Sequence, residues 1–303
     1  MNALPDISPR QNILHAAFWM IVSCGFLAIL AGIVRYLAVE GIHPSLIIFF
    51  RLFFAAVSML PWLFIAGIGA LKTNRLKLYC IRATISIFAM STWFWAVSMI
   101  SIAEVTALSF LAPIFATIGA AFFLGETVRL RRWAATAIGF VGALIIIRPG
   151  FIELTTGSWL ALAAAGFMGT SVLIIKTLTR TENPNKVVFY MGMMMTPVAL
   201  IPALFVWETP ALEYWLWIVA MGPVATFGHL TMVRSLSLAD ASAVIPFDFA
   251  RLPFAVAVGW LMFGEIADIW TWFGATVIFA SALYIARRES QMGKQIATPP
   301  IVD

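Results

Sequence analysis

The sequence predicts an all-α membrane protein: ten transmembrane helices arranged as two inverted five-helix repeats. Three observations carry that prediction. First, the 303 residues are 62% hydrophobic and only 11% charged, whereas about a quarter of the residues in a soluble domain carry charge. Second, the apolar residues fall into runs long enough to cross the roughly 30 Å of a bilayer's hydrocarbon, separated by short polar gaps. Third, residue identities in one half of the chain recur in the other at a nearly fixed separation.

The spans begin near Asn12, His43, Leu76, Ala103, Leu130, Gly157, Pro184, Leu212, Ala241 and Ala267. The first has a single arginine before it and no Ala-x-Ala site after it, so it is expected to be a retained helix rather than a cleaved leader. Alternate gaps hold fourteen of the nineteen basic residues, among them Lys72, Arg75, Arg131, Arg132, Lys186 and Arg288. Lysine and arginine concentrate on the cytoplasmic side, so both termini are expected there and the number of spans is even.

The repeat is read from paired residues. Gly25 and Arg35 match Gly166 and Lys176, Pro44 and Phe50 match Pro184 and Tyr190, and Gly125-Glu126 with Trp133 match Gly264-Glu265 with Trp272. Ala103-Glu104 matches Ala239-Asp240, and all these pairs lie between 136 and 141 residues apart. The repeats are placed at 12–149 and 157–288, with a polar tail at 289–303. Five is odd, so the second repeat enters the membrane in the opposite sense. That is an architecture from which secondary transporters build alternating access.

Within this frame the ninth span, Ala241 to Phe263, stands out because it carries Asp248 and Arg251 in its middle. A central arginine costs about 2.5 to 3.5 kcal/mol or more to insert, so it belongs against a wet cavity or a partner. Asp248, three residues earlier, is on the same helical face. Pro253 follows and frees a backbone carbonyl one turn back. Arg51, about 10 Å into the second span, is expected to snorkel outward or pack between helices. His229 lies well inside the eighth span, where it is placed to donate to a substrate or carry a proton.

The two Gly-Glu pairs, the run Ala103 to Pro113, the stretch Pro246-Phe247-Asp248-Phe249 and the ending Ala280 to Glu289 resemble the drug/metabolite transporter superfamily, and within it the ten-helix group made of two EamA domains. The resemblance covers about Ile13 to Glu289. It implies a central cavity between the halves, lined mainly by spans one, three, four, six, eight and nine, and cargo ranging over amino acids, nucleotide-like metabolites, vitamins and drugs.

The side chains available for such a path are Trp93 and Trp95 on the third span, Ser109 and Phe110 on the fourth, His229 on the eighth, and Asp248 with Arg251 on the ninth. Aromatic faces with a few polar groups suit a ligand with an apolar body, although tryptophans near span ends also form interfacial belts. Pro113, Gly222-Pro223 and Pro253 are candidate bending points. The glycine of each Gly-Glu pair suits a helix stop, and its glutamate suits the following helix start.

The expected function is secondary transport of a small organic metabolite across the bacterial-type inner membrane, driven by a proton gradient or by none. An amino acid moving outward is the first expectation; import of a nucleoside-like or vitamin-like compound, of the S-adenosylmethionine or riboflavin type, is the alternative. No Gly-rich phosphate loop is present, and the dispersed His15, His43 and His229 with Cys24 and Cys80 suggest neither metal, disulfide nor enzyme. No cofactor is expected. The +5 net charge is scattered through loops, which fits membrane anchoring rather than nucleic acid. The partners are therefore a small-molecule substrate and membrane lipid.

Overall fold

Apolar runs bounded by proline, serine and asparagine become helices whose ends fall close to the predicted gaps. In the computed structural model, residues 9–112, 115, 130–147, 155–179, 181–239, 244, 247, 248 and 250–297 are described. The helices are α1 (Pro9–Val39), α2 (Pro44–Ser58), α3 (Leu60–Ala66), α4 (Leu76–Met99), α5 (Ile102–Ser109) and α6 (Leu130–Ile147) in the first half. The second half holds α7 (Thr156–Thr179), α8 (Pro184–Phe205), α9 (Trp215–Leu238), α10 (Arg251–Phe263) and α11 (Ile269–Ala297). There is no strand among the described residues. Six stretches, 14–39, 44–66, 76–99, 156–179, 184–205 and 212–238, are long and apolar enough to cross a membrane, and 251–263 and 269–281 are shorter apolar helices.

Capping explains several boundaries. Pro44 and Pro184 open α2 and α8, where their missing N–H groups cost nothing, and the preceding His43 and Asn183 side chains accept from Ser45 and Asn185. Ser101 Oγ accepts from the Glu104 N–H at the start of α5. Gly264, with φ +66°, closes α10 in the left-handed conformation expected of the second Gly-Glu pair.

The halves are inverted with respect to each other, and the contacts show it directly. The fifth and tenth predicted spans are repeat counterparts, and they correspond to α6 and α11. A Cβ on Gly142 would meet the Gly274 oxygen at 2.8 Å and the Ile278 N at 3.0 Å, whereas one on Gly274 would meet the Ile146 side chain. Residue 142 thus faces 274 to 278 while 146 faces 274, so the two helices run antiparallel. The counterparts α2 and α8 do the same: Ala56 of α2 packs on Gly192, and Trp62 farther along, in α3, meets Phe189 at 6.0 Å between ring centroids.

Exchange of the halves also maps one interface onto another. α1 packs antiparallel on α9, with Ser23 Oγ donating to the Gly228 carbonyl and Ser235 Oγ to the Ala16 carbonyl. The exchanged pair, α4 and α7, is held by Ser86 with Ser171 at 3.0 Å and by stacked Phe88 and Phe167. Small and hydroxyl residues at these crossings supply close approach and hydrogen bonds, which is how helices associate without a hydrophobic drive from lipid.

The structure also shows the surroundings of two candidate bending points. In the ninth span, residues 244, 247 and 248 are helical, the backbone turns at Ala250, and α10 begins at Arg251. Pro253 is therefore in the first turn, where the ring interrupts no established hydrogen-bond ladder. Gly222 is a packing residue: a Cβ there would come within 2.4 Å of the Phe54 carbonyl carbon, so it lets α9 lie against α2. α9 runs unbroken through Pro223. Pro113, Gly125 and Glu126 lie outside the described residues.

Candidate functional site

Helices α1, α2, α4, α5, α7, α8, α9 and α10 surround a central cavity of about 210 Å³. Both halves contribute to its wall. Its apolar lining is soft, built from Met20, Met90, Met168, Met191, Met195 and Met232 with Trp93, Phe94 and Phe110. Methionine sulfur is polarisable and its side chain flexible, so such a lining adapts to the shape of a guest. Among the described residues its polar lining is mainly basic: Arg51, Arg82, Arg251 and His229, with Asp248 as the acidic member and Ser86, Thr106, Ser109 and Ser171 as hydroxyls. Among the described lining residues, three guanidiniums against one carboxylate leave a local excess of two positive charges when the histidine is neutral.

The cations differ in how they are satisfied. Arg251 is bonded to Asp248 at 2.5 Å through Nη2 and Oδ1. The same carboxylate lies 3.7 Å from Cys24 Sγ, and the Asp248 carbonyl 3.5 Å from it. Arg82, only 2% exposed, donates to the Val187 carbonyl at 2.9 Å and lies 3.5 Å from Met191 sulfur. Arg51 is likewise 2% exposed but has neither a hydrogen bond nor an ion pair among the described residues. Among the described residues His229 Nδ1 is also without a partner, and all three arginines stand within electrostatic reach of that ring.

Of the seven substrate-contact candidates named from the sequence, Arg251, Asp248, His229, Trp93, Ser109 and Phe110 line the cavity. Trp95 does not. Its ring stands edge-on to His43, 5.3 Å away between centroids, at the end of α4. The Ser109 hydroxyl donates to the Val105 carbonyl in its own helix, so only its acceptor side is free. Arg51 is the clearest correction. It does not snorkel, because α2 is enclosed by α4, α8 and α9 and presents that side inward.

Arg82 was missed, yet a signal for it existed. Arg82, Ser86, Ala89, Met90 and Trp93 recur at helical spacing, so a cation at the edge of a mixed stripe shares a face with the tryptophan. All five line the cavity. Among the described residues, no three His, Cys, Asp or Glu side chains gather as a metal site.

A second polar cluster closes one end of the bundle. Arg35 Nε lies 2.7 Å from Glu265 Oε1, although its N–H is not aimed along that line. Arg35 Nη1 donates to the Val97 and Ile100 carbonyls at 2.8 and 2.5 Å. Glu265 Oε2 accepts from the Ile102 N–H at 3.3 Å. The glutamate thus sits at a helix start as expected, but at that of α5 in the opposite half.

A multi-pass helical bundle of two inverted repeats around a shared polar cavity defines a membrane transporter, not an enzyme. The chain belongs to the EamA-like transporter family, whose profile matches residues 14–148 and 155–287, and thus to the drug/metabolite transporter superfamily. It is 31% identical over 293 residues to a riboflavin transporter of Vibrio cholerae, covering 95% of this chain and 98% of that protein. It is 26% identical to an S-adenosylmethionine uptake transporter of Rickettsia prowazekii, covering 93% and 95% of the two chains. A solved structure described only as the crystal structure of a protein shares the fold at a TM-score of 0.62 with 15% identity, over 90% of this chain and 97% of that one.

Proposed function

We propose that the protein imports a flavin-like metabolite, riboflavin first among them, across the inner membrane by alternating access of the repeats 12–149 and 157–288. Both termini, including the 289–303 tail, are cytoplasmic in this reading. The observation that carries it is a cavity whose lining combines methionine and aromatic side chains with three arginines, which suits a flat heteroaromatic body bearing hydrogen-bond acceptors. The riboflavin transporter among the relatives supports the same cargo.

Outward movement of an amino acid, the first expectation from the sequence, is set aside in favour of the import alternative. Amino-acid cargo explains neither the extent of the aromatic wall nor the similarity to proteins named for riboflavin and S-adenosylmethionine. S-adenosylmethionine is the second reading, favoured by that relative. Its sulfonium cation meets an excess of positive charge in this cavity, which disfavours it.

Purified protein in liposomes with external radiolabelled riboflavin tests the proposal. Saturable uptake, inhibited by excess unlabelled riboflavin and weakly or not at all by S-adenosylmethionine, is expected. Uptake no greater than in empty liposomes overturns it. Repeating the assay with and without a pH gradient decides whether protons are coupled.

A further inference from the structure

We infer that Arg51 is the residue that reads the substrate's acceptor edge, with its guanidinium donating in parallel to a ring nitrogen and the adjacent carbonyl of a dione-bearing heteroaromatic ring. The inference rests on the flavin-like reading above and deepens it by naming the contact that selects the cargo.

The starting point is an unpaid electrostatic debt. A guanidinium at 2% exposure has surrendered nearly all of its hydration, and such a group is normally returned to stability by hydrogen bonds or a counter-ion. Arg82 has a backbone carbonyl and Arg251 has Asp248. Arg51 has no such partner among the described residues, and it faces the cavity. The neighbouring carboxylate is already engaged by Arg251. What is missing is therefore an acceptor brought from outside.

The surroundings hold the group in place for that purpose. α2 cannot roll to let Arg51 reach a headgroup, because Phe54 is pressed on Gly222 and Ala56 on Gly192, while Thr226 Oγ1 donates to the Ala55 carbonyl at 3.2 Å. These contacts begin three residues after Arg51 and lock the helix on two sides. The planar fork of arginine matches two adjacent acceptors better than a single charged point, which is the difference between arginine and lysine at such a site. A flavin ring carries adjacent ring-nitrogen and carbonyl acceptors on its dione side, while its xylene side is apolar and suits the methionines. Phenazine, a flat tricycle without the dione, lacks the carbonyl half of that pattern.

The experiment uses full-length protein, with Arg51→Lys and Arg51→Met, in two measurements. In proteoliposomes, KM for riboflavin is expected to rise at least tenfold in both variants. In detergent, lumiflavin, which keeps the dione and lacks the ribityl chain, is expected to raise the melting temperature of the wild type but not of Arg51→Met. Phenazine is expected to leave all three unchanged. A wild-type KM in Arg51→Lys and Arg51→Met overturns the inference, as does equal stabilisation by lumiflavin with and without the arginine. If wild-type protein carries no riboflavin, the functional reading falls. The lumiflavin shift still judges Arg51 separately: a shift lost in Arg51→Met sustains its role as an acceptor reader, and no shift in the wild type removes it.

Discussion

Arg35 and Arg51 are both arginines within apolar helices, yet the protein treats them in opposite ways. Arg35, near the end of α1, is met by Glu265 and by the carbonyls of Val97 in α4 and Ile100 just beyond it, so its charge joins the first half to the second. Arg51, on α2, is more deeply buried and is met by nothing among the described residues. The contrast teaches that burial alone does not reveal a cation's role. The partnered group is a fastener, and the unpartnered one keeps its donors for something that comes and goes.

The sharpest way to break this comparison is to measure stability for both sites. Arg35→Ala leaves Glu265 beside the Ile102 N–H without its cation, and removal of one member of a largely buried pair is expected to cost about 3 kcal/mol. Arg51→Met removes an unmet charge and adds apolar contact, so stability is expected to hold or to rise by about 1 kcal/mol while transport falls. Thermal unfolding in detergent reads both. Equal destabilisation would show that Arg51 is fastened too, and the contrast would be lost.

Gly222→Ala comes next. The added Cβ would lie 2.4 to 2.6 Å from the Phe54 backbone and Cβ, so α2 and α9 must separate, with an expected cost of about 2 kcal/mol. A drop in melting temperature with reduced folded yield is expected. Full stability with altered transport kinetics would restore Gly222 to the hinge role that its Gly-Pro sequence suggested.

The two tryptophans of α4 offer a smaller test of the same distinction between cavity and frame. Trp93→Ala is expected to raise KM for riboflavin about tenfold, or about 1.4 kcal/mol, because its ring lines the cavity. Trp95→Ala is expected to leave KM within twofold, since that ring is occupied by His43. Matching effects in competition assays with flavin analogues would mean that the cavity extends toward the end of α4.

Much of the architecture was legible because the membrane restricts the choices. Apolar runs sufficed for the helices, and repeated residues for the inversion of the two halves. Asp248 and Arg251 were visible as an i, i+3 pair of opposite charge in an apolar run. Arg51 was misjudged for a physical reason: sequence gives the depth of a side chain but not the face of its helix, and at that depth snorkelling and cavity lining are equally compatible with the pattern. Trp95 failed for the same reason, because Trp93 and Trp95, two residues apart, point to different sides of α4. Glu265 could be placed at a helix start, but only the tertiary fold reveals that the helix is α5 of the other half.

The gentlest test concerns the opposite end of the bundle from Arg35, where Glu182 ties the segment before α4 to α8. Thr73 Oγ1 donates to Glu182 Oε1 at 2.6 Å, Lys186 Nζ lies 2.7 Å from Oε2, and the same ammonium donates to the Lys72 carbonyl. Burial pulls the carboxyl's pKa upward, but the Lys186 and Thr73 hydrogen bonds outweigh it and hold Glu182 below the usual range. A depressed carboxylate contributes stability that is fully present above its unfolded value of about 4.3 and disappears as pH falls through the folded value. Glu182→Gln is therefore expected to melt slightly lower than wild type at neutral pH, with the gap closing as both are acidified below that value. A gap independent of pH would mean that the contact acts through shape and hydrogen bonding, and that this end, unlike the one sealed by Arg35 and Glu265, does not rely on charge.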